Sequence, residues 1–282
     1  MVSFFVFLLG LVVGSFLNAF IYRLEVQQGM RQVAHNRKKS EATVWRGRSF
    51  CPSCGHALAF TDLLPLLSFV LLKGRCRHCK GKISLQYPVV ELATGLLFVA
   101  VLSLVVENLT KLSFPQVAQI LYLWVIASAL IVIFVYDLKH YIIPDKVLYP
   151  TIGLVVAWDL LLSFGGVDNL TKLSFAGAVL SGIGAAGFFF AIYILSKGKW
   201  MGFGDVKLAL FMGLFLGFPG IVTALFAAFL TGALVGVALV ASSKKRMRSE
   251  VPFGPFLVAG TIIAFFFGEQ LFNIYLSFLL VY

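Results

Sequence analysis

Leu121-Tyr-Leu-Trp-Val-Ile-Ala-Ser-Ala-Leu-Ile-Val-Ile-Phe-Val-Tyr136 runs sixteen residues without a charge and then meets Asp137-Leu-Lys-His-Tyr-Ile-Ile-Pro-Asp145. Extended back to residue 117, this run is long enough to cross a hydrocarbon layer about 30 Å thick, which takes roughly 20 apolar residues. The whole chain has the same character. Of its 282 residues 60% are hydrophobic and 12% charged, with a mean hydropathy of +0.96. A soluble domain carries about 25% charged residues, so most of this chain faces lipid.

The same length criterion predicts helices at 2–21, 84–106, 117–136, 147–164, 175–196, 206–218, 220–242 and 254–268. Leu271 to Tyr282 is apolar but too short to span and is expected in the outer interface. Residues 1–21 lack the basic start and the small-residue cleavage site of a secretory signal, and Arg23 follows them; they are expected to anchor the chain. The fold class that follows is an all-α polytopic membrane protein with about eight transmembrane helices. Its expected divisions are a first helix at 1–21, a basic loop at 22–83 and a helical core at 84–282.

Charge sets the orientation. Between Tyr22 and Lys82 twelve Lys or Arg face only Glu25, Glu41 and Asp62, a net charge of +9 within a chain total of +11. Lys139, Lys146, Lys197, Lys199 and the run Lys244, Lys245, Arg246 and Arg248 fall in every second loop after it, whereas Glu107 with Lys111 and Asp168 with Lys172 cancel in the loops between. Basic loops stay cytoplasmic. Both termini are therefore expected outside, and the excess positive charge reports topology rather than nucleic-acid binding. The segment Asn108-Leu-Thr-Lys-Leu-Ser-Phe114 recurs as Asn169-Leu-Thr-Lys-Leu-Ser-Phe175 before two returning helices; helix capping explains each copy.

All four cysteines lie in the basic loop, as Cys51-Pro-Ser-Cys54 and Cys76-Arg-His-Cys79, with 21 residues between the pairs. Two such knuckles supply four sulfurs to one tetrahedral zinc ion. Two disulfides are the competing arrangement, disfavoured on the cytoplasmic side, where thiols stay reduced. A polar loop of this size buries little core of its own, so the metal is expected to fold it rather than catalyse. His56 and His78 are expected beside the site and not in it.

Carboxylates next to long apolar spans usually mark function. Asp137 ends one span, and Asp205, in Gly202-Phe-Gly-Asp205, opens another at the same face. Two carboxyls brought together share one proton, the protonation state in which one ionised carboxylate can activate water while its partner donates. Gly202 and Gly204 let backbone approach a substrate strand or take positive φ; a plain Gly-rich helix start capped by Asp205 is the alternative. Asp145 follows Pro144 and is expected to cap the next helix. Asp137 has no such role at a helix C-terminus, where the dipole disfavours negative charge. Glu91 is expected near the inner face, pairing with a base or touching substrate, and Lys207 either reaches toward the interface or tunes the aspartates.

With these residues assembled, the chain resembles the type IV prepilin peptidase family over nearly its full length. The matching segments are Gly14-Ser-Phe-Leu-Asn18 with Tyr22-Arg23, the two cysteine knuckles, Ile83-Ser-Leu-Gln-Tyr-Pro-Val-Val-Glu91, Asp137 with Ile143-Pro-Asp145, Met201-Gly-Phe-Gly-Asp205-Val-Lys207, and Val251-Pro-Phe-Gly-Pro255. The resemblance implies cleavage of the short basic leader of type IV prepilins or pseudopilins at the cytoplasmic face of a bacterial inner membrane. Asp137 and Asp205 are then the catalytic pair. Members with the cysteine loop often also N-methylate the new N-terminus with S-adenosylmethionine, although this chain has no glycine-rich nucleotide fingerprint. Glu25 departs from the family, many of whose members carry Pro there; no loss of activity is expected. Two other readings compete: a peptidase of the signal-peptide type cutting within the bilayer, and a non-enzymatic assembly scaffold. The zinc loop and the rim position of the aspartates disfavour the first, and the convergence of the aspartates disfavours the second.

Overall fold

The computed structural model describes residues 1–30, 49–106, 113–164, 175–242 and 251–280. Residues 108–112 and 169–174 of the two Asn-Leu-Thr-Lys-Leu-Ser copies and the basic run 244–248 lie outside them. The helices are α1 (Val2–Gln27), the short α2 (Leu67–Leu71), α3 (Gln86–Val105), α4 (Phe114–His140), α5 (Asp145–Phe164), α6 (Phe175–Leu195), α7 (Phe203–Ala241) and α8 (Gly254–Leu280). Seven of them are long and apolar enough to cross a membrane. Among the described residues β pairing amounts to two isolated bridges, Phe50 with Ala57 and Arg75 with Lys82.

The longest helix, α7, is two helices. At Gly217 the backbone takes φ 60°, ψ −172°, and Phe218 is extended, a combination open to glycine and costly for residues with a Cβ. Side-chain contacts show that the chain reverses there. Phe203 lies against Phe190 and Tyr193 near the end of α6, and Leu214 covers Gly182 near its start. Phe229 then returns to Phe189, with ring centroids 6.2 Å apart. A straight helix rising 1.5 Å per residue would carry Phe229 about 20 Å beyond Leu214. The arms 203–216 and 219–241 are therefore antiparallel, as the predicted pair 206–218 and 220–242 requires, and the described residues hold eight apolar helical segments.

Three expected boundaries move. Helix α1 continues past Arg23 to Gln27, because Glu25 is a good helix former and is buried there at 2% exposure. Helix α4 continues a turn past Asp137, with Lys139 and His140 in its last turn, where positive charge suits the dipole. Helix α8 runs unbroken through Leu280, so 271–280 is the end of a helix rather than a separate interfacial segment.

The chain forms two compact units, Met1–Val132 and Ile133–Tyr282. In the first, α1 crosses α3 over glycines; a Cβ on Gly10 would come within 2.6 Å of Gly95 Cα. The Trp124 ring stacks on Phe98 at 4.7 Å and its Nε1 donates to the Phe98 carbonyl. In the second, α7 packs against α6 and α8, and a Cβ on Gly213 would meet the Ser181 carbonyl at 2.5 Å. Small residues that let backbones touch are the usual means of joining helices in lipid, where burial of apolar surface gives no drive.

Candidate active site

Asp137 sits in the last turn of α4, and its carbonyl accepts the Tyr141 amide at 2.8 Å. Asp205 sits in the first turn of α7. Both belong to the second unit, both are buried (4% and 8% exposed), and the Asp137 charge reaches Asp205. The remaining hydrogen-bonding capacity of each is restricted by backbone. The Gly202 amide donates to Asp205 Oδ2 at 3.2 Å, which closes the first turn of α7. The Gly254 amide, at the start of α8, donates to the Asp137 carboxylate. A helix end and two helix beginnings thus gather at one place.

Neither glycine has unusual backbone, and only Gly204 acts by close approach. Gly202 is extended at φ −78°, ψ 154°, and a Cβ there would face open space to 3.8 Å. At Gly204 a Cβ would press on Ile143 at 3.2 Å. Asp205 is the third residue of its helix rather than its N-cap; Gly202 holds that position.

Asp145 does not cap α5. It is the first residue of that helix, and the Pro144 carbonyl receives the Val147 and Leu148 amides. The Asp145 carboxylate instead meets Lys207 Nζ at 2.5 Å. Lys207 also lies over the rings of Tyr149 and Phe203, at 5.2 and 5.5 Å. It therefore ties the start of α7 to the start of α5, two residues beyond Asp205.

Glu91 belongs to the first unit. Its Oε2 accepts the Leu66 amide at 2.9 Å and the Ser15 hydroxyl bonds the same carboxyl; it pairs with no base among the described residues.

The four cysteine sulfurs lie within 4.8 Å of one another, and Cys51 and Cys79 Sγ are 3.9 Å apart. A tetrahedral ion with Zn–S bonds of about 2.3 Å requires about 3.8 Å. The two knuckles share one backbone pattern: Cys51 donates to the His56 carbonyl and Gly55 to Cys51, as Cys76 donates to Gly81 and Lys80 to Cys76. Burial pushes the Cys51 thiol up to about 11, against amide donors from Cys54 and Ser53. The Cys79 and His78 amides hold Cys76 down at about 7. Amides aimed at sulfur favour thiolates, and the donor set fits one metal ion. The His56 and His78 rings lie with centroids 3.5 Å apart, tilted by 36°, and neither belongs to the sulfur cluster.

One contributor to the aspartate site was not expected as such. Gly254 appears in the sequence only as part of Val251-Pro-Phe-Gly-Pro255. Its Gly-Pro step, just inside a helix start, signals a tight backbone position, but not the partner. Phe253 anchors it, packing against Phe229 at 5.2 Å and the fully buried Phe189 at 6.2 Å.

Residues 8–105 match the Bacterial Peptidase A24 N-terminal domain, and residues 124–237 match the Type IV leader peptidase family. Proteins named prepilin leader peptidase/N-methyltransferase are similar over most of their length. That of Burkholderia pseudomallei is 34% identical over 94% of this chain and 85% of its own. Those of Aeromonas hydrophila and Pseudomonas aeruginosa are each 30% identical over 96% of this chain and 93% and 92% of theirs. No solved structure matches. With relatives at this identity across both of its halves, the chain belongs to the type IV leader peptidase family.

Proposed function

We propose that this protein is a bacterial inner-membrane endopeptidase that removes the leader of type IV prepilins or pseudopilins and then N-methylates the new terminus with S-adenosylmethionine. The observation that carries the reading is the approach of Asp137 and Asp205, two buried carboxylates on separate helices, in a chain whose relatives bear both activities in their names.

Cleavage is assigned to the helical core of 84–282. One carboxylate, ionised, takes a proton from a water molecule as the water oxygen attacks the scissile carbonyl carbon; the other, protonated, donates to the carbonyl oxygen. Collapse of the tetrahedral species breaks the C–N bond, and a proton passes to the leaving nitrogen. The products are a leader with a carboxylate end and a pilin with a free amine. The amides of Gly202 and Gly254 hold the carboxylates in place, so little reorganisation accompanies the reaction. The reacting segment of substrate must unwind, since a helix encloses its own carbonyls.

Cys51, Cys54, Cys76 and Cys79 would hold one zinc ion that folds the 22–83 loop. S-adenosylmethionine supplies an electrophilic methyl group. The active site is assigned to the cytoplasmic face and both termini to the outside by loop charge, with lipid and pilins, not nucleic acid, as partners. The test is direct: purified protein in liposomes, given prepilin and labelled S-adenosylmethionine, shortens the pilin and labels its new N-terminus. Intact prepilin after prolonged incubation would refute the peptidase assignment.

A further inference from the structure

Between Asp62 and Lys73 the basic loop carries ten uncharged residues, Leu63-Leu-Pro-Leu-Leu-Ser-Phe-Val-Leu-Leu72. A run of that length is too short to span and belongs either to a packed core or to a segment lying in a membrane surface. Only one face of it is packed. Helix α2 turns Ser68, Phe69 and Leu72 inward, where they line a cavity beside the cysteine knuckles. Leu67, Val70 and Leu71 stand at i, i+3 and i+4 and so share the other face; they are 61%, 70% and 76% exposed.

Glu91 sets the depth of this face. Its Oε2 accepts the Leu66 amide at 2.9 Å, and it lies in the second turn of α3, about 9 Å along the helix from Leu85 at 1.5 Å per residue. The Ser15 hydroxyl bonds the same carboxyl from α1, about 12 Å along that helix from Arg23. Both helices are long and apolar enough to cross a membrane. At the level of Glu91 they already turn apolar side chains outward: Phe16 on α1, and Leu85, Val89 and Leu92 down one side of α3. Helix α2 therefore begins at a level where its neighbours face lipid. Lipid offers no partner to a bare amide. The Glu91 carboxylate supplies one to Leu66, and the amides of Ser68, Val70, Leu72 and Gly74 bond to carbonyls within the segment. Beyond the run come Lys73, Arg75, Lys80 and Lys82, all exposed. An apolar face followed by cations complements an acyl layer bordered by phosphates.

We propose that α2 is an interfacial membrane anchor: Leu67, Val70 and Leu71 enter the acyl region of the bilayer beside α3, with the cations that follow them at the lipid phosphates. The segment between the two cysteine knuckles is then fastened to the membrane, so the knuckles lie against its surface rather than in bulk water. Glu91 gains a use distinct from pairing with a base or touching substrate. It is the acceptor that lets α2 begin in lipid. The inference rests on the spans α1 and α3 and on neither enzymatic activity.

The test uses the full chain, one copy per nanodisc and no substrate, in phosphatidylglycerol and phosphatidylcholine with a trace of lipid bearing a diazirine on its acyl chain. After ultraviolet exposure the label is mapped by peptide. The unaltered protein is expected to carry label on 63–72 comparable to that on 85–96. Val70→Asp with Leu71→Asp should lower the label on 63–72 at least about tenfold, because a carboxylate is excluded from hydrocarbon more strongly than that. Label on 86–105 should stay unchanged and report that the helices are intact. Full label on 86–105 with none on 63–72 overturns the anchor, as does label on 63–72 that the two aspartates leave unchanged. A face kept for a second copy or for prepilin would lie in water in these discs and give the first of those results. If the double variant does not fold, the map of the unaltered protein decides.

Discussion

Gly254 presses its backbone on the Asp137 carboxylate: its amide donates to that group, and a Cβ added there would stand 2.5 Å from Asp137 Oδ2. That separation is shorter than any real contact, so one partner must move. Phe253 is held among Phe189 and Phe229, which leaves Asp137 as the group that yields. Displacement of a catalytic group by about 1 Å costs roughly 100-fold. Gly254→Ala is therefore expected to lower prepilin cleavage by about that factor in liposomes. Its melting temperature should change little, and it should still methylate a synthetic mature pilin peptide. Wild-type cleavage would show that Asp137 does not depend on this contact.

Asp137→Asn and Asp205→Asn are each expected to reduce cleavage by more than about 100-fold, the usual scale for losing a positioned acid or base. Their effects on folding should differ from those of alanine at both sites, since each carboxylate accepts a backbone amide. Asp205 accepts the Gly202 amide, and asparagine keeps an oxygen for it. Asp205→Ala loses that bond and is expected to be about 1 kcal/mol less stable. Cleavage assays beside thermal melts separate the two contributions; normal processing by either Asn variant would sink the two-aspartate mechanism.

The Lys207–Asp145 pair is a tether rather than a second acid–base couple. Asp145 is about half exposed, at 52% for the side chain, so the pair is worth only about 0.2–1 kcal/mol. Lys207→Met, Asp145→Asn and the double variant form a cycle whose coupling should fall within that range. Each single variant should retain cleavage within about tenfold of wild type, because the aspartates keep their own amide donors. Complete loss in Lys207→Met would instead place the ammonium at the reacting atoms.

What was readable in the sequence divides along physical lines. Asp137 and Asp205 announce themselves because a charge beside an apolar run is costly wherever it sits, and the cysteines because two knuckles at that spacing have few other uses. The reversal at Gly217 was visible as a break between two apolar runs. Contacts made by backbone left no comparable mark: the Gly254 amide on Asp137 and the Leu66 amide on Glu91 depend on which helix ends meet. Asp145 beside Pro144 read as a cap because local chemistry allowed it, and only the position of Lys207 shows that the carboxylate is used elsewhere. Helix ends moved by a turn where Glu25 and the Lys139-His140 pair favour continued winding.

The knuckle sulfurs predict one zinc per chain, lost in Cys51→Ser and Cys76→Ser. Each thiol must shed its proton to bind metal, so affinity rises with pH. Cys76, at about 7, is partly ionised near neutrality; Cys51, raised to about 11 by burial, is protonated until the metal displaces its proton. Zinc titrations should therefore tighten steadily from pH 6 to pH 8, with proton release measurable in weak buffer. A folded loop with no metal by elemental analysis would refute the site.

Gly217 offers the last test, on the fold itself. Its φ of 60° with ψ near −172° lies in a region that costs a residue with a Cβ about 1–3 kcal/mol. The position is where the arm carrying Asp205 turns back toward Phe189. Gly217→Ala should lower thermal stability by that amount while leaving Asp137, Asp205 and their amide donors intact. Cleavage per folded molecule should then stay near wild type, and total cleavage should fall on warming before that of the parent does. If the folded fraction is unchanged but cleavage per molecule collapses, the turn acts on the site through the arm, and the two properties are not separable as the geometry implies.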